Sequence, residues 1–447
     1  MIEYRLLAAI ALGIFVLLFL ILKVKLHAFL SLLIAAITVG IAAGLDAAAI
    51  MQTVQNGMGS TLGFVATVVG LGAMFGAILE HSGGARRIAG FLMKKFGVEK
   101  APVAMVLSGF IVAIPVFFDV AFILLIPLIY ALQKRTGKSL LLFAIPLLSG
   151  LAVTHAFIPP TPGPIAVADI IGADLGWVIG IGFVVGIPTA IISGLLFGKY
   201  IGKRIFVPAP PQPETTQAED DGFPGVGTVF AIIAVPICLI LINTSVKGGL
   251  IPVGAHWIRQ TVSIVGHPFA ALIIANLLAW YFLGIGKGFT RKQLLDISAK
   301  SMTPAGSIIL ITGAGGAFKQ VLIETGSGDM IAQSLAGIGF PVLLFAFLIS
   351  AAVRIIQGSS TVAMITAAGL VAPLLEGTAL SGFELACIVI AIASGGSIMS
   401  HVNDSGFWMV NQFLGLTEKQ TFRSWTVMTT ILAFTGFITV SLLYYLF

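Results

Sequence analysis

Apolar residues run through this chain in long blocks, without the stripes of a soluble helix or the alternation of a half-buried strand. The blocks lie at Leu6–Leu22 and at about 26–44, 61–79, 101–132, 139–172, 176–198, 227–246, 262–283, 304–323, 336–375, 384–414 and 425–446. About 20 apolar residues span a hydrocarbon core of about 30 Å, so the pattern predicts on the order of a dozen membrane helices. The first block lacks a cleavage signature and reads as a retained helix. Two blocks have the wrong length. As one helix, residues 101–132 would extend about 48 Å, too long for one crossing and too short for two. Residues 336–375 pose the same problem, and both are expected to enter the membrane and turn back.

Composition and charge then fix the class and the sides. With 58% apolar and 9% charged residues and a mean hydropathy of +1.08, against roughly 25% charge in a soluble domain, the chain is no soluble enzyme, disulfide scaffold or nucleic-acid binder. Its partner is a lipid bilayer. Of 24 Lys and Arg, 19 fall in six connections: Lys23 and Lys25; Arg86, Arg87, Lys94, Lys95 and Lys100; Lys134, Arg135 and Lys138; Lys199, Lys203 and Arg204; Lys287, Arg291, Lys292 and Lys300; Lys419 and Arg423. These are predicted to be cytoplasmic, and the base-poor connections around Asp46, Asp174, Glu324, Asp329, Glu376 and Glu384 external. Block 101–132 then enters from the cytoplasm and block 336–375 from outside, as mirror images. The segment 207–225, with four prolines followed by Glu214, Glu219, Asp220 and Asp221, reads as a polar cytoplasmic linker.

The mirror relation has an echo in the residues. Gly72–Ala89, GAMFGAILEHSGGARRIA, aligns without gaps on Gly315–Ala332, GGAFKQVLIETGSGDMIA, and in each half Ser149-Gly150 precedes His155 much as Ser394-Gly395 precedes His401. The expected architecture is an all-α polytopic membrane protein of inverted repeats, each with a re-entrant hairpin and a broken transmembrane helix. Its parts are N-terminal helices 1–60, a first repeat 61–206, the linker, connecting helices 226–303 and a second repeat 304–447. Inverted repeats place a substrate site at their interface near the midplane.

Four interruptions nominate that site, because unpaired backbone at membrane depth is tolerated only where it is buried in protein or lines a cavity. In Ile114–Phe122, IPVFFDVAF, Asp119 has apolar neighbours on both sides; an intramembrane carboxylate costs at least about 2.5 kcal/mol unless protonated, paired or bound to a cation. It is the first candidate for proton coupling, with helix capping as the structural alternative. In Thr154–Ala166, THAFIPPTPGPIA, the prolines break the helix, and a half-helix starting near Ile165 would offer amides to an anion, with Thr161 and Gly163 beside it. His155 is a second titrating candidate. In Arg354–Met364, RIIQGSSTVAM, Gly358, Ser359, Ser360 and Thr361 supply backbone and hydroxyls, and Arg354 supplies a planar fork for a carboxylate unless it pairs with Asp404 or Asp119. In Gly395–Trp408, His401, Asn403, Asp404 and Ser405 gather polar groups that packing alone does not explain. No metal-ligand spacing and no GxxxxGK[ST] motif is present, so neither a metal, a cofactor nor ATP is expected.

Several of these blocks, in fixed order, resemble the gluconate permease family of the ion transporter superfamily: MGSTLGFVATVVGLGAMFG (Met58–Gly76), IPVFFDV, PPTPGP, GAGGAFKQVL (Gly313–Leu322), RIIQGSSTVA (Arg354–Ala363) and SHVNDSGFW (Ser400–Trp408). The resemblance covers nearly the whole chain. It implies uptake of gluconate or another sugar acid by proton symport across the bacterial inner membrane, with other hydroxy acids or D-serine carried by related branches. Two positions depart from the family pattern: Thr161, where many relatives have His, and Ser360, where most have Ala. The expected roles are Arg354 and the half-helix amides for the carboxylate, and Ser359, Ser360, Thr361, His401 and Asn403 for hydroxyls. Asp119 would carry the proton, with Asp404 or His155 as alternates. Sodium coupling stays open, since hydroxyls and unwound carbonyls also suit Na⁺; a channel is the rival class, and self-association as a homodimer also stays open.

Overall fold

The computed structural model describes residues 2–210, 224–326, 341–376 and 378–446, and among these the chain is helical with no β-strand. Most of the expected linker, together with Asp329 and the first residues of the 336–375 block, lies outside the described residues. Among the described residues, seven helices are long and apolar enough to cross a membrane: Ala47–His81, Leu141–Ile171 (counted through its break), Leu175–Arg204, Val226–Lys247, Pro268–Lys287, Arg291–Glu324 and Glu418–Leu446. With the shorter apolar helices between them, they make this a multi-pass membrane protein.

Two helices exceed their apolar blocks. Ala47–His81 and Arg291–Glu324 run for 35 and 34 residues, where hydropathy marks only 61–79 and 304–323. Their first turns are polar yet well nucleated. Asp46 accepts the Ala49 amide at 2.9 Å, and Thr290 with Gln293 forms a capping box, so the backbone ladder starts before the apolar run does. The two helices cross on small residues: a Cβ on Gly57 would lie 2.6 Å from the Gly316 carbonyl oxygen. This is the close backbone approach that glycine permits between membrane helices.

Both over-long blocks are interrupted. Residues 101–132 fold as Ala101–Val112 and, continuing past the block, Phe118–Thr136; residues 341–375 fold as Val342–Gln357 and Ser360–Leu375. At 1.5 Å per residue the first arms extend only about 18 and 24 Å, short of a 30 Å core. Two further spans are broken, Leu141–Phe157 from Pro162–Ile171 and Gly382–Gly395 from Ser405–Phe413.

Several helices recur at one spacing along the chain. Gly72 and Gly315 are 243 positions apart. That offset carries Ala47–His81 to 290–324, Pro162–Ile171 to 405–414 and Leu175–Arg204 to 418–447, against observed helices Arg291–Glu324, Ser405–Phe413 and Glu418–Leu446. Packing repeats too. Side chains on Gly150 and on Gly395 would collide with the carbonyls of Val106 and Phe347, so in each copy the broken span rests on the first hairpin arm. Polar bonds tie the same pair of elements, Thr154 Oγ1 donating to Phe110 O at 2.9 Å and Ser350 Oγ to Ile392 O at 2.7 Å.

Candidate functional site

The hairpin tips and helix breaks meet around a cavity of about 400 Å³. Glycines bring them together. The MGSTLGFVATVVGLGAMFG block presents Gly72 to the Pro160 carbonyl, where an added Cβ would lie at a tight 3.3 Å, and Gly76 to the Pro115 carbonyl, where a side chain would collide. The second tip turns at Gly358 with φ +91°, a conformation that favours glycine. A Cβ there would also run into Asn403.

Three helices begin at the cavity wall: Phe118–Thr136, Ser360–Leu375 and Ser405–Phe413. Their first amides lack intrahelical acceptors and carry the positive end of the helix dipole. Ser359 Oγ accepts the Val362 amide at 3.4 Å and Asp404 Oδ1 the Gly406 amide at 3.0 Å, while the third helix starts after Phe117 with no side-chain cap. Asp119 sits in the first turn of that third helix, so capping does not account for it, and its side chain is exposed at the cavity.

Arg354 ends the first arm of the second hairpin and is only 5% exposed. Its Nη2 donates to Asp404 Oδ2 at 2.5 Å. Its Nε and Nη1 are buried and without a hydrogen-bond partner among the described residues. Asp404 Oδ2 also accepts from the Ser400 hydroxyl, and Ser400 Oγ in turn accepts from Trp425 Nε1 at 2.5 Å.

Ten of the thirteen residues nominated from the sequence line this cavity: Asp119, His155, Arg354, Gly358, Ser359, Ser360, Thr361, Asn403, Asp404 and Ser405. Three do not. Thr161 Oγ1 donates to Ile158 O at 2.7 Å, and Gly163 faces Met364, whose Cε would lie 2.5 Å from an added Cβ. The Pro162 helix therefore starts inside a packed contact, away from the cavity. His401 Nε2 meets the Ile355 carbonyl at 2.7 Å. Asn403 Nδ2 reaches Ile355 O and Ile356 O, both at 3.1 Å. These two side chains satisfy carbonyls left open where Val342–Gln357 ends, and His401 is thereby turned from the cavity. His155 Nδ1 is buried without a partner, its ring 6.4 Å from Phe118.

Sequence reasoning missed Gln357, Trp425 and Thr429, all of which line the cavity. Gln357 was legible as the polar residue between Arg354 and Gly358; its Oε1 accepts the Ser359 amide at 2.8 Å. Trp425 and Thr429 come from the last span, where an isolated Trp near a membrane boundary reads as an interfacial anchor.

Comparison with known proteins gives this geometry a context. The sequence matches the description "GntP family permease" over residues 5–446. It is 40% identical over 424 residues to the low-affinity gluconate transporter of Escherichia coli K12, covering 95% of each chain. To a gluconate permease of Pseudomonas aeruginosa it is 39% identical over 429 residues, covering 95% of this chain and 94% of that one. To the Gnt-II system L-idonate transporter of Escherichia coli K12 it is 38% identical over 432 residues, covering 96% of each. In fold it is similar to the Alcanivorax borkumensis YdaH transporter, with a TM-score of 0.63 at 15% identity over 90% of this chain and 89% of that one. Neisseria gonorrhoeae MtrF gives 0.61 at 14% identity, covering 89% of this chain and 84% of that one.

Proposed function

The chain belongs to the GntP family of permeases, and from that premise we propose that it imports gluconate or a closely related sugar acid together with protons across the bacterial inner membrane. It is a transporter rather than an enzyme. The observation that carries the substrate reading is Arg354, a buried guanidinium with two unpartnered donors beneath a cavity where three helix N-termini converge. Asp404 already gives this cation one anion, so the support for a carboxylate cargo is the remaining guanidinium donors together with the helix-start amides, which favour an anion. Around it, Ser359, Ser360, Thr361, Asn403 and Ser405 offer donors and acceptors for the hydroxyls of a polyhydroxylated acid. The relatives named for gluconate and L-idonate support this cargo.

The coupling reading rests on two carboxylates, Asp119 and Asp404, sharing one cavity with the substrate seat. In the topology read from the basic connections, the two copies lie in opposite orientation. The helices Phe118–Thr136 and Ser405–Phe413, whose first turns line the cavity, run toward Lys134, Arg135, Lys419 and Arg423. We read that side as cytoplasmic.

Proteoliposomes test the function. Labelled gluconate should accumulate against its gradient when the outside is acidic, collapse to equilibrium with a protonophore, and be unaffected when choline replaces sodium. Flux that never exceeds equilibrium would make the protein a channel, and loss of accumulation in choline would make sodium the coupling ion.

A further inference from the structure

We propose that Trp425 and Ser400 are positioning residues for the carboxylate seat: they hold Asp404 in a one-point grip on Arg354, so that one full edge of the guanidinium is left for the substrate. This rests on the sugar-acid reading above and adds what orients the cation that meets the acid. Arg354 Nη2 carries two hydrogens, one on the edge it shares with Nε and one on the edge it shares with Nη1. Asp404 Oδ2 takes one of them at 2.5 Å, and Nε and Nη1 are both buried and unpartnered among the described residues. Whichever hydrogen Asp404 holds, the opposite edge keeps two donors for a carboxylate.

A carboxylate in the place of Asp404 is able to close both oxygens on the guanidinium and fill an edge by itself. The other bonds of Asp404 prevent this. Its Oδ1 accepts the Gly406 amide at 3.0 Å, and its Oδ2 accepts the Ser400 hydroxyl as well as Arg354. The direction of the Ser400 bond is set from the last span, because an indole N–H only donates. Trp425 Nε1 gives its hydrogen to Ser400 Oγ at 2.5 Å, and the hydroxyl hydrogen of Ser400 then goes to Asp404.

Ser400 is tied to the last span at its backbone too. Its amide donates to Thr429 Oγ1 at 3.1 Å, and its carbonyl accepts from Thr426 Oγ1 at 2.5 Å. All four residues are buried. Packing of such spans does not require these bonds. Trp425 and Ser400 stand 243 positions after Gly182 and Phe157, and there glycine rests directly on backbone, an added Cβ on Gly182 lying 2.5 Å from the Phe157 carbonyl. Glycine closes that contact without a polar side chain. Tryptophan and serine replace it with a hydrogen-bonded one where the cavity lies.

Gluconate binding by calorimetry and uptake in proteoliposomes, both with the full-length protein, test this. Trp425→Phe keeps a ring near Phe118, 5.7 Å away between centroids, but loses the N–H; Ser400→Ala removes the link to Asp404. Each should raise the Kd for gluconate and the KM for uptake by roughly tenfold or more, the loss of one charge-assisted hydrogen bond, with the maximal rate within about twofold of wild type. Because the two act in series, the double variant should bind no worse than either alone. In an Arg354→Lys background, which has no fork to orient, either change should add less than twofold. Wild-type affinity in Ser400→Ala or Trp425→Phe overturns the proposal. So do losses that multiply in the double variant, which would mean that Trp425 touches the substrate directly. A full further loss in the Arg354→Lys background overturns it as well, since a packing fault would act there too. Should Ser400→Ala fail to melt cooperatively, Trp425→Phe in the wild-type and Arg354→Lys backgrounds decides. A wild type that binds gluconate while both variants match it overturns this inference alone; a wild type that binds no sugar acid overturns the substrate reading and this inference with it.

Discussion

Pro162–Ile171 and Ser405–Phe413 begin 243 positions apart and each resumes a broken span, yet their surroundings are opposite. The first is buried from Pro162 to Ile171 with Asp169 alone excepted; the second buries Gly406, Phe407 and Val410. The hairpin arms they face differ in the same sense. Ser360–Leu375 is buried continuously from Val362 onward, whereas Phe118–Thr136 buries one stripe. On the first side Gly163 lets the backbone settle against Met364. On the second, the helices touch near Phe413, through the Tyr130 hydroxyl on its carbonyl and an edge-on contact with Phe122 at 6.2 Å between centroids. Repetition of backbone thus does not impose repetition of packing. PGPIAVADII is small and apolar and seals dry, while the start of SGFWMVNQF sits beside Asn403 and Asp404, which cannot be buried without partners. The cavity lies where the polar copy is.

The largest effect expected bears on whether the copies are inverted, and it is all-or-none. In a chain carrying Cys238→Ser and Cys387→Ala, Ala48→Cys and Ala379→Cys should react with an impermeant thiol reagent from outside, and Glu99→Cys and Thr136→Cys only after permeabilisation. Labelling of positions 136 and 379 from the same side would mean that the two hairpins enter together, and the opposite-orientation reading would be lost.

Arg354 comes next. Arg354→Ala should abolish gluconate binding by calorimetry, and Arg354→Lys should weaken it by roughly tenfold or more, because a charge-assisted hydrogen bond contributes about 1.5 to 3 kcal/mol and the fork is lost. Normal affinity in a folded Arg354→Ala protein would leave the helix amides as the anion seat.

Glycines probe the contrast directly. Gly358→Ala forces an alanine to φ +91° and onto Asn403, which costs about 1–2 kcal/mol in backbone strain before any collision is counted. A lower melting temperature and uptake reduced several-fold are expected. Gly406→Ala meets only the Asp404 carboxylate, at 3.3 Å, and should change uptake less than twofold. Equal damage from both would show that the cavity wall at Gly406 is packed as tightly as the turn at Gly358.

The smallest effect is assigned to Asp119, exposed at the cavity rather than paired within it. Asp119→Asn should slow proton-driven uptake a few-fold in proteoliposomes while leaving gluconate exchange intact. Complete loss of accumulation with exchange preserved would make Asp119, of the two cavity carboxylates, the one that carries the coupled proton.

The chain alone was enough for its class, its breaks and most of the nominated residues that line the candidate site. Block length reports membrane spanning directly, since hydrocarbon thickness sets how many apolar residues a helix needs. Proline clusters, glycine–serine runs and isolated charges in such blocks are costly enough to mark a cavity wherever they occur. Asp119, Arg354, Asn403 and Asp404 were legible on that ground. Where the long helices begin was not, because hydropathy measures partition into lipid while capping at Asp46 and Thr290 starts a helix in any solvent. Nor could the chain alone say that Arg354 meets Asp404 rather than Asp119, that His401 turns to Ile355, that the Pro162 helix is sealed against Met364, or that Trp425 joins from the last span. Each depends on which surfaces meet across 25 or more positions of sequence, and at membrane depth any of several partners would satisfy the same buried group. Packing geometry, set by where glycines let backbones approach, chose among them.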